Sequence, residues 1–110
     1  MLMLVAALTT GAAAHAADRL PDELLGCWEW SKGTETDAIY NRVSAENCKA
    51  LLISTNGYKT GEDGIDCRLR SVLSAKPGRY RFRFQCVGGP MFTSTMMLRG
   101  NELTVRETIR

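Results

Sequence analysis

Apolar and polar residues alternate with a period of two along much of this chain, most clearly between Ile65 and Val87. Ile65, Cys67, Leu69, Ser71 and Leu73 alternate with Asp66, Arg68, Arg70 and Val72, and Tyr80, Phe82, Phe84 and Cys86 alternate with Arg79, Arg81, Arg83 and Gln85. Such alternation marks half-buried strands. Between the two runs, Ala75-Lys76-Pro77-Gly78 has the composition of a turn. A hairpin closed between Ala75 and Gly78 opposes Leu73 to Tyr80, Ser71 to Phe82, Leu69 to Phe84 and Cys67 to Cys86, all on one face. A slip of one residue would send one strand's side chains to the other face, so the pattern itself argues for this register. Pro77 then stands third in the turn, where it fits a simple type I geometry badly, and a wider loop is expected.

The C-terminal part reads the same way. Gly100-Asn101 forms a two-residue turn that opposes Leu98 to Leu103, Met96 to Val105 and Phe92 to Ile109, with Thr95, Thr104, Arg106 and Thr108 on the other face. Asn56-Gly57 marks a further turn after Ala50–Ile53, and Asp63-Gly64 a bend before Ile65. Cys27-Trp28-Glu29-Trp30 makes a first strand whose two tryptophans share a face, with core anchoring the favoured role for both. Met91, Met96 and Met97 fill gaps in the core or at its rim. Pro21–Leu25 suits one helical turn. Residues 31–47, polar and uneven, read as a long surface connection. The expectation is an all-β domain: a small antiparallel meander barrel or sandwich of six to seven strands.

The N-terminus is different in kind. Met1 to Leu8 is wholly apolar, Thr9 to Ala17 is built of small residues apart from His15, and charge begins at Asp18. Ala14-His15-Ala16 fits the small-x-small site of a signal peptide, giving a leader over residues 1–16 and a single β domain over 17–110. No Lys or Arg precedes the apolar run, which leaves a start further upstream or an atypical signal. The competing reading is a buried N-terminal helix. Leu24-Leu25-Gly26-Cys27 looks like a lipoprotein box, but Asp18, Arg19, Asp22 and Glu23 separate it from the apolar run, so it is set aside. The mature chain has no stretch long enough to span a bilayer as a helix.

Export changes the meaning of the four cysteines. In a small exported domain they are expected to form two disulfides. The hairpin places Cys67 opposite Cys86, which leaves Cys27 with Cys48. No Cys-x-x-Cys occurs, no metal site is expected and no cofactor is implied. The single histidine, His15, falls in the leader. The mature chain therefore has no Ser-His-Asp triad, no Cys-His pair and no histidine-bound metal. Catalysis would have to rest on residues such as Glu29, Asp37, Glu46, Glu62, Asp63 and Asp66, and most of these sit beside turns. A non-enzymatic protein is the expectation, with a carboxylate-based hydrolase as a further alternative.

The formal net charge of +2 conceals a division. Residues 17–64 carry 5 basic and 9 acidic side chains, and residues 65–110 carry 9 basic and 3 acidic. Arg68, Arg70, Arg79, Arg81 and Arg83 fall on the outward face of the central hairpin, with Arg70 expected to oppose Arg83. Like charges opposed across strands are destabilising unless something anionic sits there. This face is the candidate site for an anionic partner, either a protein or a component of the envelope. A solvated face that discourages edge pairing is the competing account. Nucleic acid is not expected, because the net charge is low and no aromatic residue alternates with these arginines on their face.

Leu24-x-Gly26-x-Trp28 resembles the Gly-x-Trp start of calycin-type barrels, the group of lipocalins, avidins and small periplasmic protease inhibitors. The plan of Gly-x-Trp, Tyr40-x-Arg42 and regularly spaced cysteines also resembles small exported alphaproteobacterial proteins of unknown function. The calycin resemblance implies that Trp28 packs at one end of a barrel under an arginine of the last strand, Arg106 or Arg110. Together these features suggest an exported, monomeric binding module of the periplasm or the secreted space. It would act as an inhibitor of an envelope or extracellular enzyme or, alternatively, as a small carrier of an apolar ligand inside the barrel.

Overall fold

The computed structural model describes residues 19–44, 46, 48–61 and 64–108. The expected leader over 1–16 with its His15, the cleavage point before Ala17, Glu62, Asp63, Ile109 and Arg110 lie outside the described residues. A 3-10 turn over Asp22–Leu24 precedes eight strands: β1 (Gly26–Gly33), β2 (Asp37–Val43), β3 (Leu51–Ser54), β4 (Gly57–Thr60), β5 (Asp66–Lys76), β6 (Arg79–Cys86), β7 (Met91–Arg99) and β8 (Glu102–Thr108). They close into one antiparallel barrel in the order β1-β2-β8-β7-β6-β5-β4-β3, with β3 returning to β1.

The strand count exceeds the expected six to seven because residues 31–47 are not an irregular connection. β1 runs on to Gly33, a short turn follows, and Ala38-Ile39-Tyr40 builds β2. The composition there is polar, but Tyr40 pairs with Trp30 on one side and Leu103 on the other, so pairing on both edges outweighs local propensity. Thr34 fixes the turn: its amide donates to the Asp37 carbonyl at 2.8 Å and its Oγ1 accepts from the Asp37 amide at 3.1 Å.

Nor is the barrel a plain meander. β1 lies between β2 and β3, so the chain leaves β2 on one side of β1 and resumes as β3 on the other. Trp28 points into the barrel and its neighbour Cys27 points out, where the disulfide to Cys48 pins the connection.

The β5–β6 hairpin keeps the expected register at one end and loses it at the other. Cys67 opposes Cys86 in a disulfide, and Leu69 opposes Phe84. Two bulges follow, between Leu69 and Ser71 and between Val72 and Ser74. Each adds one residue to β5 and reverses its alternation. Ser71 therefore opposes Arg83 rather than Phe82, Val72 opposes Phe82, and Ala75 takes the place expected of Leu73 opposite Tyr80. Leu73 is left 45% exposed. The turn is Pro77-Gly78 between Lys76 and Arg79, with Gly78 at φ +79°. Pro thus occupies the second turn position, which its fixed φ suits, and the difficulty raised by the shorter register disappears.

The C-terminal hairpin opposes Leu98 to Leu103 and Met96 to Val105 across Gly100-Asn101. Between β3 and β4 the turn is Thr55-Asn56, one residue earlier than the Asn-Gly pair suggested. Gly57 belongs to the strand because β5 crosses it too closely for a side chain: a Cβ there would collide with the Cys67 carbonyl oxygen.

The interior is aromatic. Phe82 and Phe84 are fully buried, and rings from Tyr58, Tyr80 and Phe92 extend the cluster at centroid separations of 5.0–6.0 Å. Leu20, Leu24 and Trp28 plug one end.

Two outcomes follow from this architecture. Replacing Cys67 and Cys86 together by Ser removes a link across 19 positions and should lower stability by about 3 kcal/mol in the chain-entropy account, read from denaturant midpoints. Gly57→Ala forces β4 from β5 and should cost well beyond the roughly 1 kcal/mol typical of a point substitution.

Candidate functional site

At the plugged end, the Arg42 guanidinium lies 4.2 Å from the centroid of the Trp28 ring. The same group donates to the carbonyls of Leu25 at 3.0 Å and Glu23 at 2.6 Å, and the Trp28 indole donates to the Leu24 carbonyl at 3.0 Å. The N-terminal turn is thus tied to the barrel by one arginine and one tryptophan. The arginine over Trp28 comes from β2, not from the last strand. Arg106 lies on the outer surface, in a two-point ion pair with Asp37 at 2.7 and 3.2 Å. That hydrogen bond holds the Asp37 carboxyl below its ordinary range. Arg42 belongs to the Tyr40-x-Arg42 pattern, where its spacing from Tyr40 already puts it on the inward face.

The five arginines singled out from the sequence lie on the outer surface of β5 and β6. Arg68, Arg70, Arg79 and Arg81 are exposed and Arg83 is half-buried. The bulges rearrange their neighbours. Arg83 faces Ser71, Arg81 faces Ser74, Arg68 faces Gln85, and only Arg79 meets a like charge, Lys76. The expected clash of Arg70 with Arg83 is absent for that reason. On the β7 side Arg81 and Arg83 meet Thr95 and Thr93, so the face carries small hydroxyl residues between the guanidinium groups. The ion pairs among the described residues are Arg19 with Asp22 and Arg106 with Asp37. Arg68, Arg70, Arg79 and Arg81 therefore have no carboxylate of their own among the described residues.

The opposite end of the barrel is open. An inner cavity of about 320 Å³, lined by Leu51, Tyr58, Phe92, Met96, Val105 and Glu107 among others, opens into a wider vestibule. The vestibule adds Trp30, Glu35 and Asp37, and shares Tyr40, Val105 and Glu107 with the cavity. Trp30 lies two residues along β1 from the fully buried Trp28, on the same face, yet is 58% exposed, because β1 runs past the packed core to the mouth. Sequence reasoning treated both tryptophans as core anchors, and only Trp28 is one. It passed over Glu107 altogether. The signal was present: Leu103, Val105 and Glu107 share one parity on β8, so a carboxylate follows two core residues on the inward face.

Tyr58 donates to Glu107 Oε2 at 3.3 Å. Burial pushes the Tyr58 phenol well above its ordinary range, and the nearby Glu107 charge adds to the effect. Tyr40 is raised for the same two reasons. Of the other acids considered for catalysis, Glu29 and Glu46 are exposed and Asp66 is half-buried and lines neither the cavity nor the vestibule, while Glu62 and Asp63 lie outside the described residues. Among the described residues no group of three or more His, Cys, Asp or Glu could hold a metal ion, and no helix is long and apolar enough to cross a membrane. No family model, curated protein or solved structure matches the chain.

Removing Arg42 should cost more than removing Arg106. Arg42→Ala loses a ring contact and two hydrogen bonds from a charged group, about 2–4 kcal/mol together, whereas Arg106→Ala gives up only an exposed pair and should shift the thermal midpoint far less. Tyr58 predicts behaviour in base. Its pKa is higher folded than unfolded, so its contribution to stability is complete below pH about 10 and is lost as pH rises beyond that value. Absorbance at the phenolate band should show Tyr58 ionising only with unfolding, and Tyr58→Phe should reduce the amplitude of that step by one phenol, leaving the share of Tyr40.

Proposed function

We propose that this protein is an exported, non-enzymatic binding module of the cell envelope that engages an anionic partner through the outer face of β5 and β6. One observation carries the reading: Arg68, Arg70, Arg79 and Arg81 share an exposed surface without an ion pair among the described residues, although the chain has nearly as many acids as bases. A face kept only for solubility is usually interspersed with both signs of charge. Arginine suits a planar, bidentate anion better than lysine does, whether the carboxylates of an acidic protein or the phosphates of an envelope component. In the inhibitor version the partner is an enzyme of the periplasm or the secreted space, the role that the calycin-type start suggests. The two disulfides fit an oxidising compartment outside the cytoplasm.

A second reading, carriage of a small ligand inside the barrel, is favoured by the inner cavity. It is compatible with the first, since the two surfaces lie on different sides of the wall.

The test is capture from envelope extract by the parent and by a variant with Arg68, Arg70, Arg79 and Arg81 changed to Ser. Arg83 is left in place because it makes contacts within the fold. The parent should retain a partner that is released near 1 M salt, where the Debye length is about 3 Å, and the variant should not. Equal capture by both proteins, with matching circular dichroism, would overturn the arginine reading.

A further inference from the structure

We infer that the open end of the barrel binds a small organic cation, with its ammonium head beside Glu107 among Trp30, Tyr40 and Tyr58 and its apolar body in the inner cavity. This rests on the ligand-carrying reading above and names the chemistry of the ligand.

The argument begins with what lines the space. Glu35, Asp37 and Glu107 border the vestibule, and among the described residues no Lys or Arg lines either the vestibule or the cavity behind it. Asp37 is already engaged by Arg106, whereas Glu107 has no cationic partner among the described residues. Its carboxylate accepts a hydrogen bond from the phenol of Tyr58. Two residues beyond the buried Val105, Glu107 is exposed at the mouth, where it holds the Tyr58 phenol and sets a negative potential at the entrance.

The aromatic residues point the same way. Trp30 pairs across β1 and β2 with Tyr40, and Tyr58 reaches Glu107 from β4. Trp30 and Tyr40 line the vestibule with Glu107, and Tyr40 and Tyr58 line the cavity with it; such rings attract a cation through their negative faces, and tryptophan does so best. Tyr40 and Tyr58 have raised phenol pKa values, so both remain neutral hydroxyls in the ordinary pH range. An anionic ligand would meet the Glu35 and Glu107 carboxylates and, among the described lining residues, no base. A neutral apolar ligand would suit the inner cavity but would leave Glu107 unanswered.

A further polar atom lies nearby. Ser94 is the cross-strand partner of Glu107, is fully buried, and its Oγ has no hydrogen-bond partner among the described residues. Unsatisfied buried hydroxyls are uncommon. Here one adjoins the carboxylate that would hold the charged end of the ligand.

The test uses benzyltrimethylammonium and its uncharged carbon isostere neopentylbenzene, each titrated into the full disulfide-bonded protein and followed by tryptophan fluorescence. The cation should bind at least tenfold more tightly than the isostere. Glu107→Gln should bring the two within about twofold while leaving binding of the isostere unchanged. The thermal midpoint confirms that the variant is folded, and Glu35→Gln repeats the measurement at the rim. Equal binding of cation and isostere by the parent would overturn the cation proposal and leave the carrier reading standing. Binding of neither would overturn both. A preference for the cation that survives Glu107→Gln would place the charge recognition elsewhere and overturn the proposal as stated.

Discussion

The whole arrangement depends on β1 being paired along both edges. A sheet of this size has two open edges unless its first and last members meet, and exposed edges invite pairing with other chains. Here β1 hydrogen-bonds to β2 on one side and β3 on the other, so the hairpin β1–β2 acts as the patch that seals the six-stranded meander β3–β8. Trp28 and Arg42 follow from that placement. They sit on adjacent strands of the patch, at its closed end, and draw the N-terminal turn across the opening. Without the patch the aromatic interior around Phe82 and Phe84 would be open along one side.

Closure also separates two electrostatic environments. The wall of β5 and β6 turns guanidinium groups outward, while the mouth gathers carboxylates and phenols. The nearly neutral total charge is thus the sum of two segregated fields, and a partner at one need not compete with a ligand at the other. The bulges matter to this division. By reversing the alternation of β5 twice they keep Leu69 and Val72 on the inner side with Phe84 and Phe82, and they set Ser71 rather than Arg70 opposite Arg83 and Ser74 rather than Val72 opposite Arg81. Bulges also supply the local bending that a narrow barrel requires.

Much of this was legible in the alternation of side chains. The all-β class, the C-terminal hairpin, the disulfide between Cys67 and Cys86 and the aromatic row of β6 follow from period-two patterning and turn chemistry. The pattern failed where structure is set by distant partners. Residues 31–47 look like a loop because their strand character comes from pairing with β1 and β8. The bulges are invisible because Ser71, Val72 and Leu73 satisfy either parity. Arg106 was a reasonable mate for Trp28 by resemblance, but parity places it with Thr104 on the outside of β8. The mouth was the least legible part, since Trp30, Tyr40, Tyr58 and Glu107 come from four strands and no local motif joins them.

The position of β2 has a consequence for how the chain can fold. Its outer edge is completed only by β8, and the contact between Asp37 and Arg106 spans 69 positions. The first hairpin to be made therefore waits for the last strand before the ring can shut. Folds dominated by such remote pairings form slowly, because loop closure must precede the gain from contact. A polypeptide that cannot close its barrel until β8 has been made keeps its aromatic interior unsealed until then. The order of its strands thus acts as a timing device, deferring the compact state until the strands that follow β2 are all present.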